Sequence, residues 1–267
     1  MNWQEKRESA TAIVDEIREQ IGESSDHLPD VQRIRQSGPF ESHRQFIKSS
    51  MTSLYEMLRL TDITPESSVL DYGCGLGRMC LPMKTYLSAD GRYHGIDTDN
   101  DAVRYLLELY TDERFSFEHI DAFSQMYNPA GAPLTDALNA LAQAAPVDLA
   151  FLFSVFTHVL PHDMEPLLTF LKSRVKDRGQ ILASFFVLDE DSKRGIAEGT
   201  SHRSFAFDYA NAKIDNDEVP EGAVAYEEQD IRDYASRCGL EIQRISRGNW
   251  SGQHNRFHWQ DMVVFQA

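Results

Sequence analysis

The sequence predicts a doubly wound α/β fold on a mostly parallel sheet, with a helical segment ahead of it. Three observations carry that prediction. From Pro65 onward, short apolar runs alternate with amphipathic helical stretches, a spacing that makes βαβ units with right-handed crossovers. The run Asp148 to Phe153 is almost uninterruptedly apolar, as in strands buried on both faces of a parallel sheet. The strand Ser68 to Tyr72 runs directly into a turn with three glycines and then a helix.

Taken in order, residues 1–63 read as an N-terminal helical extension or lid. Trp3, Ala10, Ile13, Ile17 and Ile21 form one helical stripe, and Phe46, Ile47, Met51, Leu54, Met57 and Leu58 a second. Between them Gly22 to Gly38 is a polar connector with Pro29. These helices serve either to complete a core or to cover a pocket, with His43, Arg44 or Phe46 near a ligand. Residues 64–267 form the main domain. Its strands are expected at Ser68–Tyr72, Tyr93–Asp97, Phe115–Ile120, Asp148–Phe153 and Gln180–Val187. Its helices are expected at Met79–Leu87, Asp101–Tyr110, Asp136–Pro146 and Met164–Val175, with Val103, Leu106, Leu107 and Tyr110 inward on the second. Residues 188–230 break the rhythm and read as an acidic, aromatic, loop-like insertion over the active site. A helix over Gln229–Cys238 stops at Gly239. Two closing strands, Glu241–Arg247 and Gln260–Phe265, pair antiparallel at a sheet edge.

The net charge is −16 over 267 residues, which argues against a nucleic-acid partner, because phosphate binding needs clustered Lys and Arg. No run of apolar residues is long enough to span a bilayer and no signal peptide is visible, so no membrane partner is expected. Three cysteines, Cys74, Cys80 and Cys238, are too few for a disulfide framework, and a cytoplasmic location is expected.

The most informative stretch is Val69-Leu70-Asp71-Tyr72-Gly73-Cys74-Gly75-Leu76-Gly77-Arg78. Glycine lets the backbone turn tightly and approach a ligand closely, and the helix that follows offers free N–H groups. Asp97 ends the next strand, twenty residues after Gly77, where a carboxylate accepts from both ribose hydroxyls. A dinucleotide turn needs its third glycine at position 78, which is Arg78. Asp71 beside the turn repels a pyrophosphate and attracts an ammonium. The ligand indicated is a nucleoside with a positive centre and no phosphate, such as S-adenosylmethionine.

With these pieces, VLDYGCGLGR and YHGIDTD, and with FEHIDAF, DLAFLFSVFTHVLP and GNWSG…WQDMVVF further on, the chain resembles the class I S-adenosylmethionine-dependent methyltransferases of bacterial small-molecule or glycan type. The resemblance implies a seven-stranded Rossmann-like sheet whose last strand is antiparallel, with S-adenosyl-L-methionine as cofactor. It places Asp71 and the backbone of Gly73 and Gly75 at the methionine end, with Arg78 near its carboxylate and Cys74 and Gly77 also among the cofactor-binding residues. It gives Asp97 the ribose, Thr98 a place beside the adenine, and Asp121 with Ala122 the adenine amino group. Phe153 and Ser154 close the methionine side.

Methyl transfer to a hydroxyl gains from a base. His158, after the fourth strand where sheet ligands bind, is the candidate, with pocket-wall and structural roles as its alternatives. Phe156, Tyr226, Trp250 and His254 are the candidate acceptor pocket, Trp250 as a stacking surface. No metal is expected. The expected activity is methyl transfer to a small-molecule or sugar-containing acceptor, at oxygen. The alternatives are a non-catalytic S-adenosylmethionine-binding regulator and an NAD-dependent oxidoreductase.

Overall fold

A computed structural model describes residues 2–21, 28–36, 38, 40–252 and 258–267. The backbone forms two compact units, residues 1–119 and 120–267.

In the first unit, helices α1 (Trp3–Ile21), α2 (Val31–Gln36) and α3 (His43–Leu60) precede strands β1 (Ser68–Tyr72), β2 (Arg92–Asp97) and β3 (Phe115–His119). Helix α4 (Cys80–Tyr86) links β1 to β2, and α5 (Asn100–Leu109) links β2 to β3. β2 lies between β1 and β3, parallel to both. Ser42 caps α3 by accepting from the Gln45 N–H, and Asp99 caps α5 by accepting from the N–H groups of Asp101 and Ala102, as short polar residues do at helix starts. α1 packs on α3 and α4 through Ala10, Val14 and Ile17.

Three expectations need correction here. The connector before α3 contains the short helix α2, whose single turn and a half is below the length at which periodicity shows. Trp3, expected inward, is 40% exposed, with the Arg59 guanidinium over its ring at 4.9 Å. Leu107 is 52% exposed, because α5 buries the stripe of Ala102, Val103 and Leu106 instead.

In the second unit, β4 (Val147–Leu152) and β5 (Val175–Leu188) are parallel, joined by α7 (Pro161–Arg174). β10 (Asp261–Gln266) runs antiparallel to β5, and β9 (Glu241–Ser246) antiparallel to β10. The expected closing pair is therefore present. Helix α6 (Leu134–Ala140) starts earlier and stops sooner than the alanine-rich stretch suggested.

The segment expected as loop is ordered structure. It contains α8 (Glu190–Ala197), β6 (Phe207–Tyr209), β7 (Ala212–Ile214), a 3-10 turn at Pro220–Gly222 and β8 (Val224–Glu227), followed by α9 (Glu228–Arg237). Strands of three or four residues are too short to declare an alternation. β8 lies parallel to residues 186–188 of β5, while residues 180–185 of that strand face β10. β7 is antiparallel to β8, and β6 to β7. The three strands β6, β7 and β8 raise the total among the described residues to ten rather than seven. They close over a small core of Phe186, Leu188, Phe205, Ala223, Ala225 and Trp250.

Candidate functional site

The glycine turn is built by the carboxyl end of β2. The Ile96 carbonyl accepts from Gly73 N–H at 2.7 Å and from Cys74 N–H at 3.1 Å. Asp97 Oδ2 accepts from Gly75 N–H at 2.6 Å, and its Oδ1 accepts from Asp99 N–H at 2.8 Å. Gly73, Gly75 and Gly77 all have positive φ, at 84°, 51° and 79°, the region that costs other residues ~1–2 kcal/mol. The glycines differ in purpose. A Cβ on Gly77 would meet Leu106 Cδ2 at 2.6 Å, whereas a Cβ on Gly75 would meet nothing within 4 Å. Gly77 is there for helix packing, and Gly75 borders open space beside the Asp97 carboxylate. Desolvation by burial pushes the Asp97 carboxyl up, and the backbone N–H groups of Asp99 and Gly75 oppose that shift.

Asp71 lies beneath the turn, 3% exposed. It accepts a short hydrogen bond from the Tyr93 hydroxyl. Burial raises its pKa to about 7, with Tyr93 and the positive Arg78 pulling the other way and Asp97 adding to the rise. Arg78, expected near a methionine carboxylate, directs its Nη1 to Ser53 Oγ at 2.7 Å and Ser49 Oγ at 3.2 Å, while its carbonyl accepts from the Ser50 hydroxyl at 2.7 Å. These contacts bind α3 to the glycine turn. Nothing in the spacing of Ser49, Ser50 and Ser53 signals that, because serines on a helix read as an ordinary polar face. Thr98 turns its carbonyl to His119 Nε2 at 3.2 Å.

In the second unit, Asp121 opens a closed turn over residues 121–132. Its Oδ1 accepts from Asn128 Nδ2 at 2.9 Å, its carbonyl accepts from Ala132 N–H at 2.9 Å, and Ala122 is buried. Phe153 is buried after β4, and Ser154 adopts φ 64°, a left-handed conformation of the kind stored at functional sites at ~1–3 kcal/mol. Ser154 N–H donates to Ser184 Oγ at 2.6 Å, and its hydroxyl donates to Gln260 Oε1 at 3.0 Å. Gln260 is a contact that the sequence reading did not single out.

His158 is half-buried, and its Nδ1 lies 2.7 Å from the Glu221 carbonyl. A carbonyl only accepts, so Nδ1 carries the proton and Nε2 the lone pair. Burial lowers its pKa, as does the charge of Arg203, while the bond to Glu221 raises it, and the ring is neutral near pH 7.

The expected acceptor aromatics are placed differently. Phe156 is fully buried and stacked on Phe185 at 4.7 Å. Tyr226 is fully buried, with its hydroxyl on the Val159 carbonyl at 2.7 Å. Trp250 is also fully buried, edge-on to Phe186 and Phe205, and its indole N–H donates to Asp261 at 2.7 Å. All three are core side chains here rather than an open stacking surface, because a large ring with a satisfied polar tip gains most from complete burial. His254 lies outside the described residues.

A family profile described as "Methyltransferase domain" matches residues 40–244. The chain belongs to this family. It is a class I S-adenosylmethionine-dependent methyltransferase with a Rossmann-like fold. Solved structures share that fold at low identity. The magnesium protoporphyrin IX methyltransferase of Synechocystis, with bound SAH, is 18% identical at a TM-score of 0.53, covering 88% of this chain and 93% of its own. An S-adenosylmethionine-dependent methyltransferase of Mesorhizobium loti is 12% identical at 0.54, covering 81% and 98%. The pyocyanin biosynthetic protein PhzM is 14% identical at 0.53, covering 84% and 55%. The residues of this methyltransferase fit its cofactor. Open space at Gly75 beside a carboxylate suits a ribose, and two neighbouring carboxylates, Asp71 and Asp97, suit a positive ligand.

Gly77→Ala is expected to destabilise the methyltransferase by ~2–4 kcal/mol in urea titration, combining left-handed strain with the Leu106 collision. Gly75→Ala is expected to cost only the strain, ~1–2 kcal/mol.

Proposed function

We propose that this methyltransferase methylates a hydroxyl of a small molecule or a sugar-containing precursor, with His158 as the base. The observation that carries the reading is the state of His158. Its Nδ1 proton is committed to the Glu221 carbonyl and burial keeps it neutral, so Nε2 is ready to accept a proton. Support for a small acceptor comes from the net charge of −16, which disfavours nucleic acid. Solved proteins of this fold include ones named for magnesium protoporphyrin IX methylation and pyocyanin biosynthesis. Free, buried Cys74 and Cys80 suit a reducing cytoplasm.

The cofactor, when bound, supplies an electrophilic methyl on a sulfonium. Asp97 is assigned to the ribose hydroxyls, since its two oxygens lie at the glycine turn, accepting from the Gly75 and Asp99 N–H groups, and a carboxylate offers about four acceptor sites. Thr98 is assigned a place beside the adenine, and Asp121 and Ala122 the adenine amino group. The backbone of Gly73, Cys74 and Gly75, backed by the charge of Asp71, takes the methionine end. Gly77 and Arg78 shape the turn, and Phe153 and Ser154 are assigned the methionine side of the cofactor. Alignment of acceptor and methyl is worth ~7–11 kcal/mol of barrier, and a positioned base contributes a further ~10²–10⁴-fold.

Three measurements test the assignment. In calorimetry with S-adenosylhomocysteine, Asp97→Ala is expected to lose ~1–3 kcal/mol of binding, or roughly 5- to 150-fold. Unchanged affinity would remove Asp97 as the ribose ligand. Asp71 is ionised above pH 7 and protonated below it, so affinity for S-adenosylmethionine is expected to weaken as pH falls from 8 to 6. Asp71→Asn should flatten that slope. Once labelled cofactor has identified an acceptor in a metabolite extract, His158→Ala is expected to lower turnover ~10²–10⁴-fold with cofactor affinity within a few-fold. Turnover equal to the wild type would exclude His158 as base.

A further inference from the structure

Glu221 lies in the 3-10 turn Pro220–Gly222 and bonds in two directions. Its carboxylate oxygen Oε2 accepts from the Gln125 backbone N–H at 2.8 Å and from the Ser124 hydroxyl at 3.3 Å. Its main-chain carbonyl accepts from His158 Nδ1 at 2.7 Å. Ser124 and Gln125 belong to the 121–132 turn. That turn is closed on itself by Phe123 N–H to the Ala132 carbonyl at 2.7 Å and by Asn128 Nδ2 to Asp121 Oδ1 at 2.9 Å. On the other side, two more bonds hold the His158 loop to the same insertion. Val224 N–H donates to the Thr157 carbonyl at 2.8 Å, and the Tyr226 hydroxyl donates to the Val159 carbonyl at 2.7 Å. The backbone that orients the imidazole and the side chain that holds the turn opened by Asp121 therefore belong to one residue.

We infer that Glu221 is a positioning residue: its carboxylate clamps the 121–132 turn to the 3-10 turn whose carbonyl holds His158 in the Nδ1–H form. The inference rests on the proposed roles of Asp121 and His158, and its physical content is separable from them. An imidazole with one ring nitrogen committed to a fixed carbonyl exists as one tautomer, and an uncommitted ring exchanges between two. The carboxylate restrains that carbonyl through the turn it grips. Without the carboxylate, the Gln125 N–H and Ser124 hydroxyl lose their acceptor, the 3-10 turn loses a restraint, and the Nδ1 bond loosens. A glutamine at this position keeps an acceptor oxygen on the same stem, so it retains most of the clamp.

The test uses the full chain with ¹⁵N-labelled histidine. Ring nitrogen–proton correlation spectra are recorded near neutral pH, with His158 assigned through His158→Ala. The wild type is expected to show a single His158 tautomer, protonated at Nδ1 and pyridine-type at Nε2. Glu221→Ala should show exchange between tautomers, Ser124→Ala a smaller change, and Glu221→Gln a spectrum close to wild type. Calorimetry with S-adenosylhomocysteine should show weaker binding in Glu221→Ala, with recovery in Glu221→Gln, as expected where the adenine-reading turn is gripped by this carboxylate. A wild-type ring protonated at Nε2 overturns the inference, whatever the variants do. So does Glu221→Ala with the single Nδ1–H tautomer intact. Should Glu221→Ala fail to fold, the wild-type, Ser124→Ala and Glu221→Gln spectra decide. Tautomer behaviour as expected supports the clamp even where His158→Ala leaves methyl transfer unchanged, so failure of the base assignment is told apart from failure of the clamp.

Discussion

Asp97 closes β2 with both carboxylate oxygens engaged by backbone N–H, one from Gly75 and one from Asp99. The first bond reaches back across the sheet to the turn after β1, and the second starts the cap of α5. The preceding residue, Ile96, offers its carbonyl to Gly73 and Cys74. Two consecutive residues at one strand end thus dictate the path of the glycine turn. The turn in turn fixes where α4 begins and how closely it meets α5 at Gly77 and Leu106. The cost is a desolvated carboxylate whose pKa stays raised, because its backbone N–H donors offset the burial only in part. A carboxylate held in this way has its two oxygens fixed in place by the backbone on either side of it.

The second unit uses a buried carboxylate for a different end. Asp261 accepts from Gly248 N–H, Val187 N–H and the Trp250 indole. Burial raises its pKa to about 6, against the pull of those donors and of Arg247. It joins the end of β5, the start of β10 and the chain between β9 and β10 at one atom group. This explains why Trp250 is in the core. An indole needs an acceptor when it is buried, and the acceptor here is internal, so the ring is drawn inward between Phe186 and Phe205.

Much of the fold was legible because it rests on long periodic segments and on turn chemistry. The strands at β1, β2, β3 and β4, the final antiparallel pair and the glycine turn with Asp97 all have strong local signals. The insertion between residues 188 and 230 was not legible, because its strands are three and four residues long and it is held by bonds distant in sequence, such as Tyr226 to Val159. The same gap explains the contacts that sequence could not reveal. Glu221 meets Gln125 across ninety-six positions, and Arg78 meets Ser49 across twenty-nine, distances at which a sequence carries no pattern. The aromatic residues Phe156, Tyr226 and Trp250 were legible as large apolar groups, but composition does not distinguish a pocket wall from a core.

Strand β5 changes neighbours midway, lying against β10 over residues 180–185 and against β8 over residues 186–188. The β6–β7–β8 ribbon is therefore seamed to β5 over only three positions, and its other ties, Val224 to Thr157 and Tyr226 to Val159, run to the loop after β4. Loss of the ribbon would leave the β5–β10 ladder in place while releasing the loop that carries His158.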